Sequence, residues 1–182
     1  MKCPSCEDQN LRPTKLHHGL PAYTCTCCHG VSIDLLTYRH WAETRGDEDD
    51  VIHGEGETAS LVEGSSQALV CTKCSHIMTK FSISGATSNK VDVCATCHEA
   101  WLDAGEWQLL GALQLQGKLA EIVTEPWQKA VRAQAVASMR DERLLALFGE
   151  DLERLRQLRD WLADHPAKEQ ALRYLRSEPT GE

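Results

Sequence analysis

Eight of the nine cysteines in this chain recur at a spacing that suits metal binding. They form two quartets, each made of two Cys-x2-Cys pairs, with 18 residues between the pairs in the first quartet and 19 in the second. The quartets are Cys3, Cys6, Cys25 and Cys28, and then Cys71, Cys74, Cys94 and Cys97. Two such pairs at this separation are typical of a four-thiolate zinc site, because each pair turns both sulfurs toward one ion. The sequence therefore predicts two zinc ions per chain.

The predicted zinc sites are structural. Four thiolates complete a tetrahedron and leave no open coordination position for a substrate or water. His98-Glu99 is not followed by a histidine at the spacing of a zinc hydrolase, and we find no nucleophile–base pair and no phosphate loop. We expect that the protein is not an enzyme.

The ninth cysteine, Cys27, lies inside the second pair of the first quartet. Cys25 and Cys28 alone give the two-residue gap, so we interpret Cys27 as a spectator. Exchange of a ligand to Cys27 is the alternative.

Two histidines and two lysines flank the quartets. His29 and His98 each follow a last cysteine, and complete thiolate sets leave them as neighbours of the site or as surface residues. Lys2 and Lys73 stand beside the first and second quartets, where a cation would partly offset the negative metal–thiolate centre.

Composition supports the zinc interpretation. The chain has 182 residues, 42% hydrophobic and 5% aromatic, so a single large core is not expected. Segments of about forty residues are too short to fold on apolar burial alone. Structural zinc can stabilise them, since it contributes about 10–16 kcal/mol in small finger peptides.

The same cysteines bear on the compartment. No apolar run approaches eighteen residues, and the amino terminus lacks the apolar stretch of a signal peptide. We expect reduced thiols that hold metal in the cytoplasm, with no membrane partner.

Charge and motifs divide the chain into four regions: a first ribbon at 1–42, an acidic linker at 43–69, a second ribbon at 70–104 and a helical region at 105–178. Residues 43–63 contain eight acidic residues against Arg45, which accounts for almost all of the net charge of −8. This composition predicts a solvated, mobile linker, with docking on a basic partner or mimicry of nucleic-acid phosphate as the alternative.

Local patterns give the expected fold class, a small α+β protein. In the first ribbon 14–16 and 22–24 flank a turn, and in the second ribbon 80–84 and 90–93 flank another, so each ribbon is predicted to be a β-hairpin clamped by zinc. After Trp101 the pattern becomes helical, with starts at 103–106 and 124–126 and a leucine stripe from Leu152 to Leu162. An α-helical hairpin or small bundle therefore follows the two ribbons.

A family resemblance lies in the residues that follow Cys97. The segment 101–106 reads Trp-Leu-Asp-Ala-Gly-Glu. With this ending the second ribbon resembles the bacterial TFIIB-type zinc-ribbon (transcription factor zinc-finger) family, although His98 and Glu99 replace its usual two glycines. The first ribbon is a degenerate copy, with Ser32 where tryptophan is usual and no Gly-Glu after it.

The resemblance implies small interaction modules attached to other domains, and a ribbon fold does not fix function. We expect Trp101 and Leu102 to cover the hairpin, with Asp103 and Glu106 capping the outgoing helix, and a binding role for Trp101 as the alternative. The function that we favour is a protein-interaction or adaptor module with an unidentified protein partner, and a homodimer through the helices is one form of it. Nucleic-acid binding, tied to transcription, is the alternative, but the acidic total and the near-neutral ribbons count against it.

Overall fold

The computed structural model describes residues 1–6, 10–44 and 66–177. Residues 45–65, which make up most of the predicted acidic linker, lie outside the described residues. The chain divides into two compact units, Met1–Ala135 and Val136–Glu182. None of the described helices is long and apolar enough to cross a membrane.

Both ribbons contribute to one six-stranded antiparallel sheet. Its strands are β1 (Arg12–Lys15), β2 (Pro21–Thr24), β3 (Val31–Asp34), β4 (Thr79–Ser82), β5 (Lys90–Cys94) and β6 (Glu99–Leu102). The strand order is β1-β2-β3-β6-β5-β4, so the first ribbon supplies one half and the second ribbon the other. The predicted small α+β fold with a hairpin in each ribbon is confirmed. The third strand of each ribbon, which continues from the last cysteine pair, was not predicted from the sequence.

The two third strands join the ribbons. β3 pairs antiparallel with β6, and in this register Ser32 lies opposite Trp101. The same two residues occupy equivalent positions in the two ribbons, because each comes four residues after a last cysteine, Cys28 or Cys97. The local two-fold that relates the halves of the sheet therefore passes between Ser32 and Trp101.

Alternation along the central strands separates two faces of the sheet. Ile33 and Leu102 point into a buried cluster that also contains Tyr38 and Trp107 from the helices. Trp101 points to the opposite face, where its buried cluster contains cysteines of both quartets. One face thus builds the core, and the other is covered by the cysteine-bearing turns.

The helices are α1 (Leu35–Thr44), α2 (Glu106–Ala112), α3 (Leu119–Ile122), α4 (Glu125–Phe148), α5 (Leu152–Ala163) and α6 (Lys168–Arg176). α1 was not predicted, although it carries a start signal. Asp34 precedes it, and its carboxylate accepts the backbone N–H of Thr37 at 2.8 Å, which satisfies one of the free donors of the first turn. Leu35, Tyr38 and Trp41, spaced three apart, form its buried face.

Tyr38 and the start of α4 tie helices to the rest of the first unit. The Tyr38 hydroxyl donates to the carbonyl of Gln116 at 2.8 Å and accepts the N–H of Leu119 at 2.9 Å. Gln128 on α4 bonds both the N–H and the carbonyl of Ser82 on the edge strand β4. An edge strand whose polar groups are occupied in this way is protected from pairing with another chain.

The second unit is helical and has little core of its own. It contains the end of α4 together with α5 and α6. Among its described residues, 136–177, the buried hydrophobic side chains are Leu152 and Leu162, each 6% exposed. Gly149, in the left-handed region with φ of +50°, separates α4 from α5.

Candidate metal centres

Each predicted quartet converges on one point. In both clusters the four sulfur atoms all lie within 4.8 Å of one another. The Sγ–Sγ distances are 3.6 Å for Cys3–Cys28, 4.0 Å for Cys6–Cys25 and 3.5 Å for Cys74–Cys94. The edge of a tetrahedron with a Zn–S distance of about 2.3 Å is about 3.8 Å, so both clusters fit a zinc ion.

The backbone of the cysteine turns is arranged around sulfur. The N–H of Cys6 points to Sγ of Cys3 at 3.2 Å, and the N–H of Cys97 points to Sγ of Cys94 at 3.4 Å. Such donors favour the thiolate over the thiol, which is the form that binds metal.

Two of these turns end on a histidine with a left-handed backbone. His29 and His98 follow the last cysteines with φ of 59° and 55°, and their N–H groups return to the carbonyls of Cys25 and Cys94. Glycine adopts this conformation without strain, which is a physical reason for the glycine that the family usually has there. Both histidine side chains are exposed and stand outside the clusters.

Thiol pKa values differ within each cluster. Burial raises the pKa of Cys3 to about 11, whereas the hydrogen bond with Cys74 raises that of Cys97 to about 12. At Cys25 and Cys94 burial acts in the same direction, but backbone N–H donors outweigh it and lower each pKa to about 7. Each site therefore contains one thiol with a pKa near 7, and metal binding would displace the protons of the thiols whose pKa is raised.

Trp101 lies between the two centres. It is 1% exposed and belongs to one buried cluster with Cys3 and Cys25 of the first site and Cys71 and Cys94 of the second. Its indole Nε1–H donates to the carboxylate of Asp103 at 3.1 Å. This burial supports the predicted covering role of Trp101 and leaves no surface for a ligand to approach it.

Gly30 makes room for that ring. A Cβ atom at Gly30 would lie 2.2 Å from Cζ2 of Trp101, a separation that carbon atoms cannot adopt. The equivalent position in the second ribbon is Glu99, two residues after Cys97. Glu99 contacts Ser32, whose hydroxyl donates to its carboxylate. Related pairs across the two-fold are thus Gly30 with Trp101 and Ser32 with Glu99, a small residue against a large one each time.

Lys73 extends this contact into the second metal site. It lies between Cys71 and Cys74, and its ammonium group pairs with the other carboxylate oxygen of Glu99. The hydrogen bond to Glu99 is the main reason that the pKa of Lys73 is raised. The lysine predicted to offset the charge of the centre is therefore bonded to a buried carboxylate.

Asp103 and Glu106 differ from the predicted capping arrangement. The Asp103 carboxylate accepts from Trp101, and among the described residues no side-chain hydrogen bond caps α2 at Gly105, where φ is 83°. Glu106, fully buried, accepts the N–H of Asp103 at 2.9 Å, so half of a capping box is present. Its other oxygen accepts from the side chain of Asn89 and from the N–H of Lys90. Burial raises the pKa of Glu106 to about 7 despite these donors.

The structure brings together all eight predicted ligands and leaves Cys27 exposed outside the cluster, its N–H pointing to Sγ of Cys25 at 3.4 Å. Three residues that join the sites were not predicted from the sequence: Gly30, Ser32 and Glu99. Ser32 and Glu99 were visible as departures from the pattern that the ribbons resemble, whereas Gly30 keeps that pattern, and the role of all three depends on which strands meet.

Two four-cysteine clusters, each on a three-stranded antiparallel half of the sheet, have the architecture of zinc ribbons. Residues 2–44 match the family model described as transcription factor zinc-finger, the TFIIB-type zinc ribbon. The match falls on the ribbon that lacks the tryptophan, and the four-cysteine cluster at 71–97 is consistent with a second copy. Searches of curated proteins and of solved structures found no match to this chain.

Proposed function

We propose that this zinc-binding protein is a non-enzymatic adaptor, in which the fused ribbons form a rigid platform and the helical unit binds another protein. The observation that carries the proposal is the contrast in burial between the two units. Among the residues that the structure describes, 27 hydrophobic residues are buried, of which 25 lie in Met1–Ala135 and two in the second unit. A helical segment of about forty residues with so little core exposes apolar surface that a partner can cover.

The second unit exposes many apolar side chains. Ten large hydrophobic side chains among its described residues, 136–177, are 36–78% exposed. They are Val136, Met139, Leu145, Leu147, Phe148, Leu155, Leu158, Trp161, Tyr174 and Leu175. Aromatic residues and methionine are enriched at protein interfaces, and Trp161 is of the kind that contributes most there.

Charge favours a protein partner over nucleic acid. Residues 136–177 contain eight basic and eight acidic residues, so this surface has no net charge. In the second ribbon two of the three lysines, Lys73 and Lys80, are paired with Glu99 and Asp92. A nucleic-acid surface needs free cations in register with phosphates, and neither of these described regions supplies a basic stripe.

The test compares two surface variants in affinity capture from the native host. Met139→Glu with Leu147→Glu charges the helical surface, and Tyr23→Ala removes an exposed aromatic residue of the first ribbon as the matched control. We expect one protein, or a second copy of this chain, to be retained by wild type and Tyr23→Ala and lost from the double variant. Equal recovery with all three proteins contradicts the helical surface. Salt-sensitive binding of a labelled duplex or single strand at low salt would favour the nucleic-acid alternative.

A further inference from the structure

We propose that the two metal sites form one cooperative binding unit, in which Trp101 couples the occupancy of one site to the other. This inference is independent of the adaptor function. It rests on three direct links between the cysteine turns of the two ribbons, none of which passes through the residues outside the described ranges.

The first link is the packing of Trp101 on Gly30. Trp101 comes four residues after Cys97 of the second site, whereas Gly30 comes two residues after Cys28 of the first. The carbonyl of Gly30 accepts the N–H of Cys25 at 2.9 Å, so the glycine closes the turn that holds two ligands. The ring can occupy its place only when this turn has its folded shape, and metal at the first site holds that shape.

The second link is polar. Lys73, inside the Cys71–Cys74 turn, pairs with Glu99, and Glu99 accepts the hydroxyl of Ser32 on β3. The side chain of Glu99 is 6% exposed and that of Ser32 is buried. Lys73 is 41% exposed, but Glu99 and Ser32 are buried, and a buried polar group left without its partner is costly.

The third link is a backbone hydrogen bond. The N–H of Leu35, at the start of α1, donates to the carbonyl of His98, which directly follows Cys97. Together with the β3–β6 pairing, it ties the last turn of the second site to the strand that leaves the first site.

These links make partial loading unfavourable. An empty first site releases Gly30 and β3, so Trp101 and β6 lose the surface against which they are ordered. An empty second site releases β6, and β3 loses its partner strand. Part of the binding free energy of the first ion is therefore offset by the cost of ordering both halves of the sheet. The second ion binds to a structure that is already ordered.

Native mass spectrometry of the full chain tests the proposal without a substitution. Metal-free, reduced protein receives one equivalent of zinc per chain, and the zinc-free, one-zinc and two-zinc species are counted. Two identical independent sites would leave about half of the chains with one ion. We expect the one-zinc species to fall below about a quarter, with zinc-free and two-zinc chains dominating. A one-zinc species at about half or more overturns the proposal.

Two tryptophan variants test the coupling residue. Trp101→Phe keeps an apolar ring but shortens the contact with Gly30, and we expect the one-zinc fraction to rise toward the independent value. Trp107→Phe is the control, since Trp107 is 5% exposed in the helix-facing cluster and stands outside the cysteine cluster. Equal one-zinc fractions in the two variants would remove Trp101 from the proposal.

Removal of one site provides a measurement that does not depend on Trp101. In the double variant Cys94→Ser, Cys97→Ser, the first site remains chemically complete. We expect its affinity for Co²⁺, followed by visible absorption, to be at least about tenfold weaker than the wild-type midpoint. An unchanged affinity means that the sites are independent and contradicts the proposal.

Discussion

The two ribbons stabilise the junction between their third strand and the following helix with different halves of a capping box. In the first ribbon Asp34 leaves β3 and its carboxylate accepts the N–H of Thr37 at the start of α1. In the second, the residues at the same distances from the last cysteine are Asp103 and Glu106, and here Glu106 reaches back to the N–H of Asp103. Asp34 and Asp103 are both half-buried, but Thr37 is exposed whereas Glu106 is fully buried, so only the second ribbon places a carboxylate in the interior at this junction.

The ribbons also differ in the size of the residues beside the local two-fold axis between β3 and β6. The first ribbon has the small residues Gly30 and Ser32 where the second has Glu99 and Trp101. Each small residue faces a large one of the other ribbon. What resembles degeneration of the first copy is therefore a condition for joining the copies in one sheet.

The largest effect is expected from the ligands themselves. Cys94→Ser should lose at least one zinc ion per chain and the amide-exchange protection of α2, because structural zinc is worth about 10–16 kcal/mol and most domains are stable by only about 5–15 kcal/mol. Metal analysis and hydrogen exchange measure both. Cys27→Ser is the control and should retain zinc. Loss of zinc from Cys27→Ser, with retention in Cys28→Ser, would instead establish an exchange of ligands in the first site.

Giving the first ribbon the tryptophan that the second ribbon has at the equivalent position should destabilise the protein. Ser32→Trp places a second indole opposite Trp101, with Cβ atoms about 5 Å apart, in space that the first ring fills. Overpacking of this size should cost at least about 3 kcal/mol in the free energy of unfolding. Ser32→Ala, which only removes the hydroxyl from Glu99, should cost about 1–2 kcal/mol. If chemical denaturation shows Ser32→Trp to be at least as stable as Ser32→Ala, the residues at the two-fold axis are not complementary in size.

The buried carboxylate of Glu106 in the second ribbon predicts that the stability of the protein depends on pH. The pKa of Glu106 is raised from 4.5 to about 7 by burial, so between these values the folded protein holds a proton that the unfolded chain has released. Stability should then fall as pH rises through this window, by about 2 kcal/mol between roughly pH 5.5 and pH 8.

The control for this pH effect is Glu106→Gln, which cannot ionise at that position. The free energy of unfolding of wild type and of Glu106→Gln is measured at both pH values with buffered zinc. Relative to Glu106→Gln, wild type should lose the same amount of stability at the higher pH. Any pH dependence of zinc binding is shared by both proteins and cancels. A difference that does not change with pH would show that the carboxylate is ionised throughout.

The smallest effect is expected at the left-handed residues that end the cysteine turns. At His98, with φ of 55°, the glycine variant should be more stable than the alanine variant by about 1 kcal/mol, since only glycine adopts this region without strain. The same order is expected at His29. Thermal unfolding of the four variants measures it. If the alanine variant is as stable as the glycine variant in one ribbon alone, the two turns differ in strain despite their similar φ angles.

The sequence was sufficient for features that depend on neighbours along the chain. The cysteine spacing, the hairpins and the start of α4 were all predictable, because turn geometry and short strands are set by residues close in sequence. α1 was missed although Asp34 and the spacing of Leu35, Tyr38 and Trp41 were legible signals. The third strands, β3 and β6, were not predicted because four residues after a cysteine turn are too few to show an alternating pattern of apolar and polar residues.

The sequence by itself determined that this protein has two four-thiolate ligand sets, each with its own hairpin, and that helices follow them. The tertiary structure decided that the ribbons share one sheet and that Trp101 serves both centres. Strand pairing across 69 residues depends on which edges meet, and no local pattern records it. The pairing that places Ser32 opposite Trp101 gives the physical explanation for Ser32, Gly30 and Glu99.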